Sequence, residues 1–146
     1  MAGTVVFSYE LSPNADVVKL IYKCTSDGSG NISSPTITQE GDLAYFQPNS
    51  LLTGVIGQVR IGPGAAGVQP TASFVVQLAK SDDATVDFLG GIGSACSNTV
   101  ALIDVPATSV NGAGMELFHD ILVPYASGVG ASKYFTLIVY LWLKGK

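Results

Sequence analysis

The sequence predicts an all-β protein, an antiparallel β-sandwich of jelly-roll-like form, folded as one domain over residues 1–146. Three observations predict it. Apolar and polar residues alternate with a period of two over several short stretches, and Gly, Pro, Asn and Ser turns separate those stretches. No long stretch keeps a helical period. The length suits a single core, and the 47% of hydrophobic residues supply enough apolar area to fill one.

Taken in order, residues 4–11 place Val5, Phe7, Tyr9 and Leu11 on one side and Val6, Ser8 and Glu10 on the other, a half-buried strand. Pro13 and Asn14 end it. Residues 17–24 follow, with Val18, Leu20, Tyr22 and Cys24 opposite Val17, Lys19, Ile21 and Lys23. The run from Asp27 to Asn31 tolerates positive φ, so the spacing predicts a hairpin that returns through residues 32–39. A short apolar piece at 43–46 precedes a strand over 54–61, with Val55, Gly57, Val59 and Ile61 on one face. Residues 62–70, rich in Gly and Pro, form a long exposed connection, because proline removes donors and glycine raises the entropy lost on ordering.

Strands are expected at 74–79, 86–89 and 99–105, with a tight turn at 90–93 and another at Asn111-Gly112. Residues 115–125 alternate Leu117, His119 and Ile121 with Glu116, Phe118 and Asp120 up to Pro124, and a helix is the rival reading there. The last strand, 134–143, is apolar on both faces: Tyr134, Ile138, Tyr140 and Trp142 against Phe135, Leu137, Val139, Leu141 and Leu143. One face meets the core, so the other needs a second cover. That cover is another strand layer, a loop or another subunit, and on the last reading Tyr134, Ile138, Tyr140 and Trp142 are the expected oligomer interface.

Only 12% of residues are charged, about half the share of an ordinary soluble domain. A neutral exterior suits a protein that spends its life against neighbours. The net charge of −4 and the scattered basic residues exclude a phosphate-binding surface, so no nucleic-acid partner is expected. Lys19 with Lys23, and Lys144 with Lys146, read as solvated edges. The first residues lack a basic segment followed by a long apolar one, which predicts synthesis in the cytoplasm and gives the Asn31-Ile32-Ser33 sequon no weight. The longest apolar run is far short of the ~20 residues of a membrane helix, so no membrane partner is expected. Cys24 and Cys96 form neither a disulfide framework nor a zinc motif and read as free, buried thiols.

Motifs for chemistry are absent, and no catalytic, cofactor or metal residues are expected. Gly62, Gly64 and Gly67 spell a dinucleotide fingerprint, but Pro63 interrupts it and Val68-Gln69-Pro70 blocks the helix that would receive a pyrophosphate. His119, the sole histidine, alternates with Leu117 and Ile121 and reads as a core or interface residue. Asp82, Asp83 and Asp87 lack the spacing of a calcium loop and read as a solvated turn.

Three blocks carry a likeness: 54–64 (GVIGQVRIGPG), Pro70-Thr71 before 74–78 (FVVQL), and 87–93 (DFLGGIG). Together with 18–21, the Asp27-Gly28 turn and the terminal strand, they resemble small β-rich structural proteins encoded among the virion genes of tailed bacteriophages. Where such proteins commonly carry Tyr-Asp-Val, this chain has Phe74-Val75-Val76, and 106–125 looks individual. The resemblance implies a non-enzymatic virion component: a capsid decoration or cement protein on the head exterior, a homotrimer whose partner is the major capsid protein or another virion protein. Gly62, Pro63, Gly64, Gly67, Gln69 and Pro70, with Ser127, Gly128 and Gly130 of the 126–132 segment, are the expected capsid-contact loops, since neutral backbone orders against a partner without burying unpaired charge. A tail, neck or head-fibre position is one alternative. A carbohydrate-binding module using exposed aromatic rings is another, although Trp142 lies in an apolar strand for that role. An enzyme would need a polar pocket assembled from distant residues.

Overall fold

The computed structural model describes residues 3–14, 16–33, 35–40, 50–65, 67–81, 83–104 and 116–143, with the backbone alone for residues 80, 83–86, 116, 118 and 119. Among the described residues strands take 58% and helix none, so the fold is all-β. The strands are β1 (Thr4–Leu11), β2 (Val17–Thr25), β3 (Thr36–Gln39), β4 (Leu52–Pro63), β5 (Val75–Lys80), β6 (Asp83–Asp87), β7 (Leu102–Asp104), β8 (Glu116–Asp120), β9 (Leu122–Ser127) and β10 (Tyr134–Leu143). A larger mixed sheet runs β3-β1-β2-β10-β4-β7, with β8 also paired to β4, and a smaller one runs β6-β5-β9. One apolar cluster draws on both: Val5, Phe7, Leu20, Tyr22, Ile56, Leu137 and Val139 from the larger sheet, Val76, Leu78, Leu122 and Ala126 from the smaller. Phe74 and Phe135 meet across it with ring centroids 5.4 Å apart.

The alternation holds residue by residue in β2 and β10; in β1 it holds for Val5 and Phe7, while Tyr9 and Leu11 are part-buried against the core. Val18, Leu20, Tyr22 and Cys24 are buried from β2, and Phe135, Leu137, Val139 and Leu141 from β10. Burial pushes the Tyr22 hydroxyl and the Cys24 thiol well above their ordinary pKa values, and the Cys96 thiol up to about 11. Both cysteines are free thiols.

Other expectations need correction. The hairpin across 25–39 does not form. Asp27 to Asn31 does reverse the chain, with Gly30 at φ +82° and the Asp27 N–H donating to the Asn31 carbonyl, but both edges of β2 are already taken by β1 and β10. Residue 32 instead crosses to the smaller sheet, where Ile32 bridges Ala126, and the chain returns as β3 on the far side of β1. That β1–β3 pair is parallel, so the sheet is mixed and the purely antiparallel expectation fails there. A turn signal sets a local reversal and says nothing about which edge is vacant.

In β4 the inward set is Leu52, Gly54, Ile56, Val59 and Ile61. Val55 and Gly57 face the other way because the register with β10 slips by one: Tyr140 pairs with Gln58 and Leu141 with Ile56, leaving Gly57 as an extra residue. A bulge inverts a period-two pattern midway, so Val59 and Ile61 follow the expectation and their neighbours do not. β6 ends at Asp87, not Leu89, since the Asp87 carboxylate accepts N–H groups of Leu78, Leu89 and Gly91 and turns the chain. β7 starts at Leu102, because Ser97 Oγ captures the N–H groups of Thr99 and Val100. Residues 43–46, Asp82, Val105, Asn111-Gly112 and the side chains of Asp83 and His119 lie outside what is described.

The expected strand at 115–125 is two strands in different sheets, divided at Ile121. Pro124 sits inside β9, opposite Leu78. The Leu78 N–H and carbonyl both bond toward β6, to Asp87 and Phe88, so the Leu78–Pro124 pair exchanges no hydrogen bond and the missing proline donor costs nothing on that side.

Candidate functional site

The two expected contact loops come together at one end of the molecule. Three segments meet there: 26–32, 64–71 and 127–133. Gly62 and Pro63 are the last residues of β4, paired with Thr136 and Phe135. Beyond them the chain is fastened: the Gly64 N–H donates to the Tyr134 carbonyl at 2.8 Å, the Tyr134 N–H to Val68 at 2.9 Å, and the Thr71 N–H to Val129 at 2.8 Å. The Val129 N–H donates to Gly30 at 2.9 Å. Gly30 and Gly130 both have positive φ, and a Cβ on Gly30 would come within 2.8 Å of the Gly130 nitrogen, so only glycine permits the two segments to touch. Pro70 is buried, Gln69 donates to the Asn98 carbonyl, and Gly67, Ser127 and Gly128 are exposed. The expectation of a free, exposed connection is therefore replaced by a hydrogen-bonded one with an exposed tip.

Ser26 is the buried polar centre of this end. Its Oγ donates to the Gly130 carbonyl and accepts the Lys133 N–H at 2.9 Å. Ser26→Ala leaves both groups without that partner, and an expected loss of about 1–3 kcal/mol should appear in urea unfolding. Asp27 holds the adjoining turn by accepting the N–H groups of Asn31 and Ser29, and those bonds keep its carboxyl below the usual carboxylate range. With the folded value depressed, this support is present above the unfolded pKa of about 3.9 and is lost as pH falls through the lower folded value. A carbon-detected NMR titration should place the Asp27 midpoint below that of a denatured reference, with the Ser29 and Asn31 amide shifts following it.

The rim carries apolar side chains that composition did not single out. Val68 is 43% exposed, and Val100, on the turn that Gln69 ties in through Asn98, is 66% exposed. Of the charged side chains, Lys133 donates to the Gly67 carbonyl at 3.4 Å and Asp27 faces backbone amides.

The second surface is the outward face of the larger sheet. Tyr134, Ile138 and Tyr140 are half-buried along it and Trp142 is 63% exposed, so the described residues do not cover that end as the expectation of a double cover requires. Across the strands Ile21, Ile138, Arg60 and Ile103 align in one row, and Val17, Trp142 and Val55 in another. Lys19 pairs with Glu10 at 3.8 Å and Lys23 with Glu40 at 3.3 Å, at the β1 side of the apolar stripe. Tyr134 belongs to both surfaces, while Trp142 lies eight residues further along β10, roughly 26 Å away at about 3.3 Å per residue.

Among the described residues no three His, Cys, Asp or Glu side chains gather as metal ligands, and no helix is long and apolar enough to cross a membrane. Gly62 closes a strand, and no helix follows Gly67. No family model matches the chain, and neither a curated protein nor a solved structure matches it. The arrangement is suited to contact: apolar side chains stand on hydrogen-bonded backbone at one end and along one sheet face.

Sequence reasoning chose the two loops by composition and missed Ser26, Val68, Val100 and Ile103. Ser26 carries no local signal, because its partners lie more than 100 residues away. Ile103 is legible only once Arg60 is known to be its cross-strand neighbour.

Proposed function

We propose that this chain is a non-enzymatic virion structural protein, a capsid decoration or cement protein that stabilises a phage head through protein–protein contacts. It is made in the host cytoplasm, assembles as a homotrimer through the outward face of β10, and binds the major capsid protein or another virion protein on the capsid exterior through the loop end. The observation that carries the reading is the meeting of segments 62–70 and 126–132 at one end, beside exposed Val68 and Val100. Apolar side chains on backbone already held by hydrogen bonds lose little entropy on docking. An oligomer that touches several shell subunits then gains by effective concentration and favours the assembled state by mass action. The core shared by the two sheets supports a sandwich; a jelly-roll has less support, since its Greek keys are antiparallel and β1 and β3 run parallel.

The test is binding to purified empty capsids, read by co-sedimentation and by copy number in mass spectrometry. Hundreds of copies per particle are expected, with occupancy falling at least tenfold for the double change Val68→Asp and Val100→Asp. Undiminished binding of that variant removes the loop end from the role, and a copy number near ten or below assigns the protein to the tail, neck or head fibres.

A further inference from the structure

At the far end of β10 from the loops, a shallow depression of about 220 Å³ is lined by Glu10, Leu11, Ser12, Val17, Lys19 and Tyr140. Pockets that engulf drug-sized ligands run to roughly 300–1,000 Å³. This one is scaled to a single ring bound from one side. Two residues beyond Tyr140, the exposed Trp142 is not part of that lining. Its indole lies along Gly57, where a Cβ would come within 3.0 Å of Nε1. Glycine at the bulge thus gives the indole a seat that a side chain would take away.

The chemistry of the wall selects the ligand. Lys19 Nζ and Glu10 Oε2 are 3.8 Å apart, wider than the ~2.7–2.9 Å of a charge-assisted hydrogen bond. A hydroxyl can bridge that gap by donating to the carboxylate and accepting from the ammonium, whereas an anion meets Glu10 and a cation meets Lys19. Ser12 Oγ donates to Asp16 at 3.0 Å and accepts the Val17 N–H at 3.1 Å, which holds the rim between β1 and β2. Lys19 Nζ is 6.0 Å from the Tyr140 centroid, at the limit of cation–π attraction, so the ring stays available to a ligand. Sugar C–H groups carry slight positive charge and lie well on the negative face of an aromatic ring.

We propose that the depression between Glu10, Lys19 and Tyr140 binds one neutral hexopyranose unit of a glycan. Tyr140 also belongs to the outward face of β10 proposed for self-association.

The test is titration of the ¹⁵N-labelled protein with neutral methyl hexosides, with glucuronate and glucosamine as charged controls. At least one neutral glycoside should shift the amides of 10–12, 17–19 and 140–142 saturably, with a dissociation constant on the order of 1 mM, as few-atom ligands allow. Tyr140→Ala should weaken it at least tenfold, with circular dichroism unchanged, and the charged controls should bind at least tenfold more weakly. The proposal is overturned if no neutral glycoside shifts these amides, if the shifts survive Tyr140→Ala, or if a charged control binds better. Repeating the titration on Ile138→Arg separates the site from self-association: shifts retained there support a site within one subunit whatever the oligomeric state, and shifts lost there overturn it.

Discussion

Phe135→Ala is expected to lower the unfolding free energy by about 3–5 kcal/mol, the largest stability loss from one side chain on β10. Phe135 is fully buried on a strand hydrogen-bonded on both edges, and its ring meets Phe74 across the core. Removing it takes away the transfer free energy of the ring, leaves a cavity that strands fixed on both sides cannot close, and breaks an aromatic pair. For a chain of this length each kcal/mol moves Tm by roughly 2–4 °C, so a fall of about 6–20 °C is expected in a thermal melt. Val139→Ala, deleting two carbons from the same buried row, should cost less than half as much. A Phe135→Ala protein that melts within about 2 °C of the parent would mean that this ring does not join the two sheets.

The contrast with its neighbours shows what a one-dimensional pattern can carry. Alternation alone placed Phe135, Leu137, Val139 and Leu141 on the inner face, because a period of two is a local property of extended backbone and every residue obeys it. The same rule failed in β4 at Gly57, since the extra residue of a bulge is decided by the partner strand, and Tyr140 and Leu141 are more than eighty residues away. It failed again after Asp27, where the turn chemistry was read correctly and the pairing was not: whether β2 offers a vacant edge depends on β10, the last strand of the chain. The candidate surfaces divide likewise. The outward row from Tyr134 to Trp142 was visible as a second apolar face, whereas the meeting of the two loops rests on backbone bonds of Gly64 and Val68 with Tyr134 and of Thr71 with Val129, partners far apart in the chain. Composition marked both loops as neutral, but it could not show that they share one end.

Ile138→Arg is expected to abolish self-association while leaving the fold intact. Ile138 lies at the middle of the outward face, between Ile21 on β2 and Arg60 on β4, with Ile103 beyond, 55% exposed. On the free subunit an arginine there can lay its stem on the sheet and reach water, so stability should change by less than about 1 kcal/mol. In the oligomer the same guanidinium is carried into an apolar contact next to Arg60, where burial without a partner and like-charge repulsion act together. A central side chain of this kind is worth about 2 kcal/mol or more, and the added charge raises the penalty, so the dissociation constant should rise at least about 100-fold. Sedimentation velocity at micromolar concentration should show a trimer for the parent and a monomer for the variant. Binding to capsids should then weaken by roughly 10²–10⁴ although the loop end is untouched, because avidity is lost with the second and third contacts. A parent that sediments as a monomer at about 100 μM, far above any dissociation constant a specific trimer would need, removes the self-association face and with it the avidity on which the cement role depends.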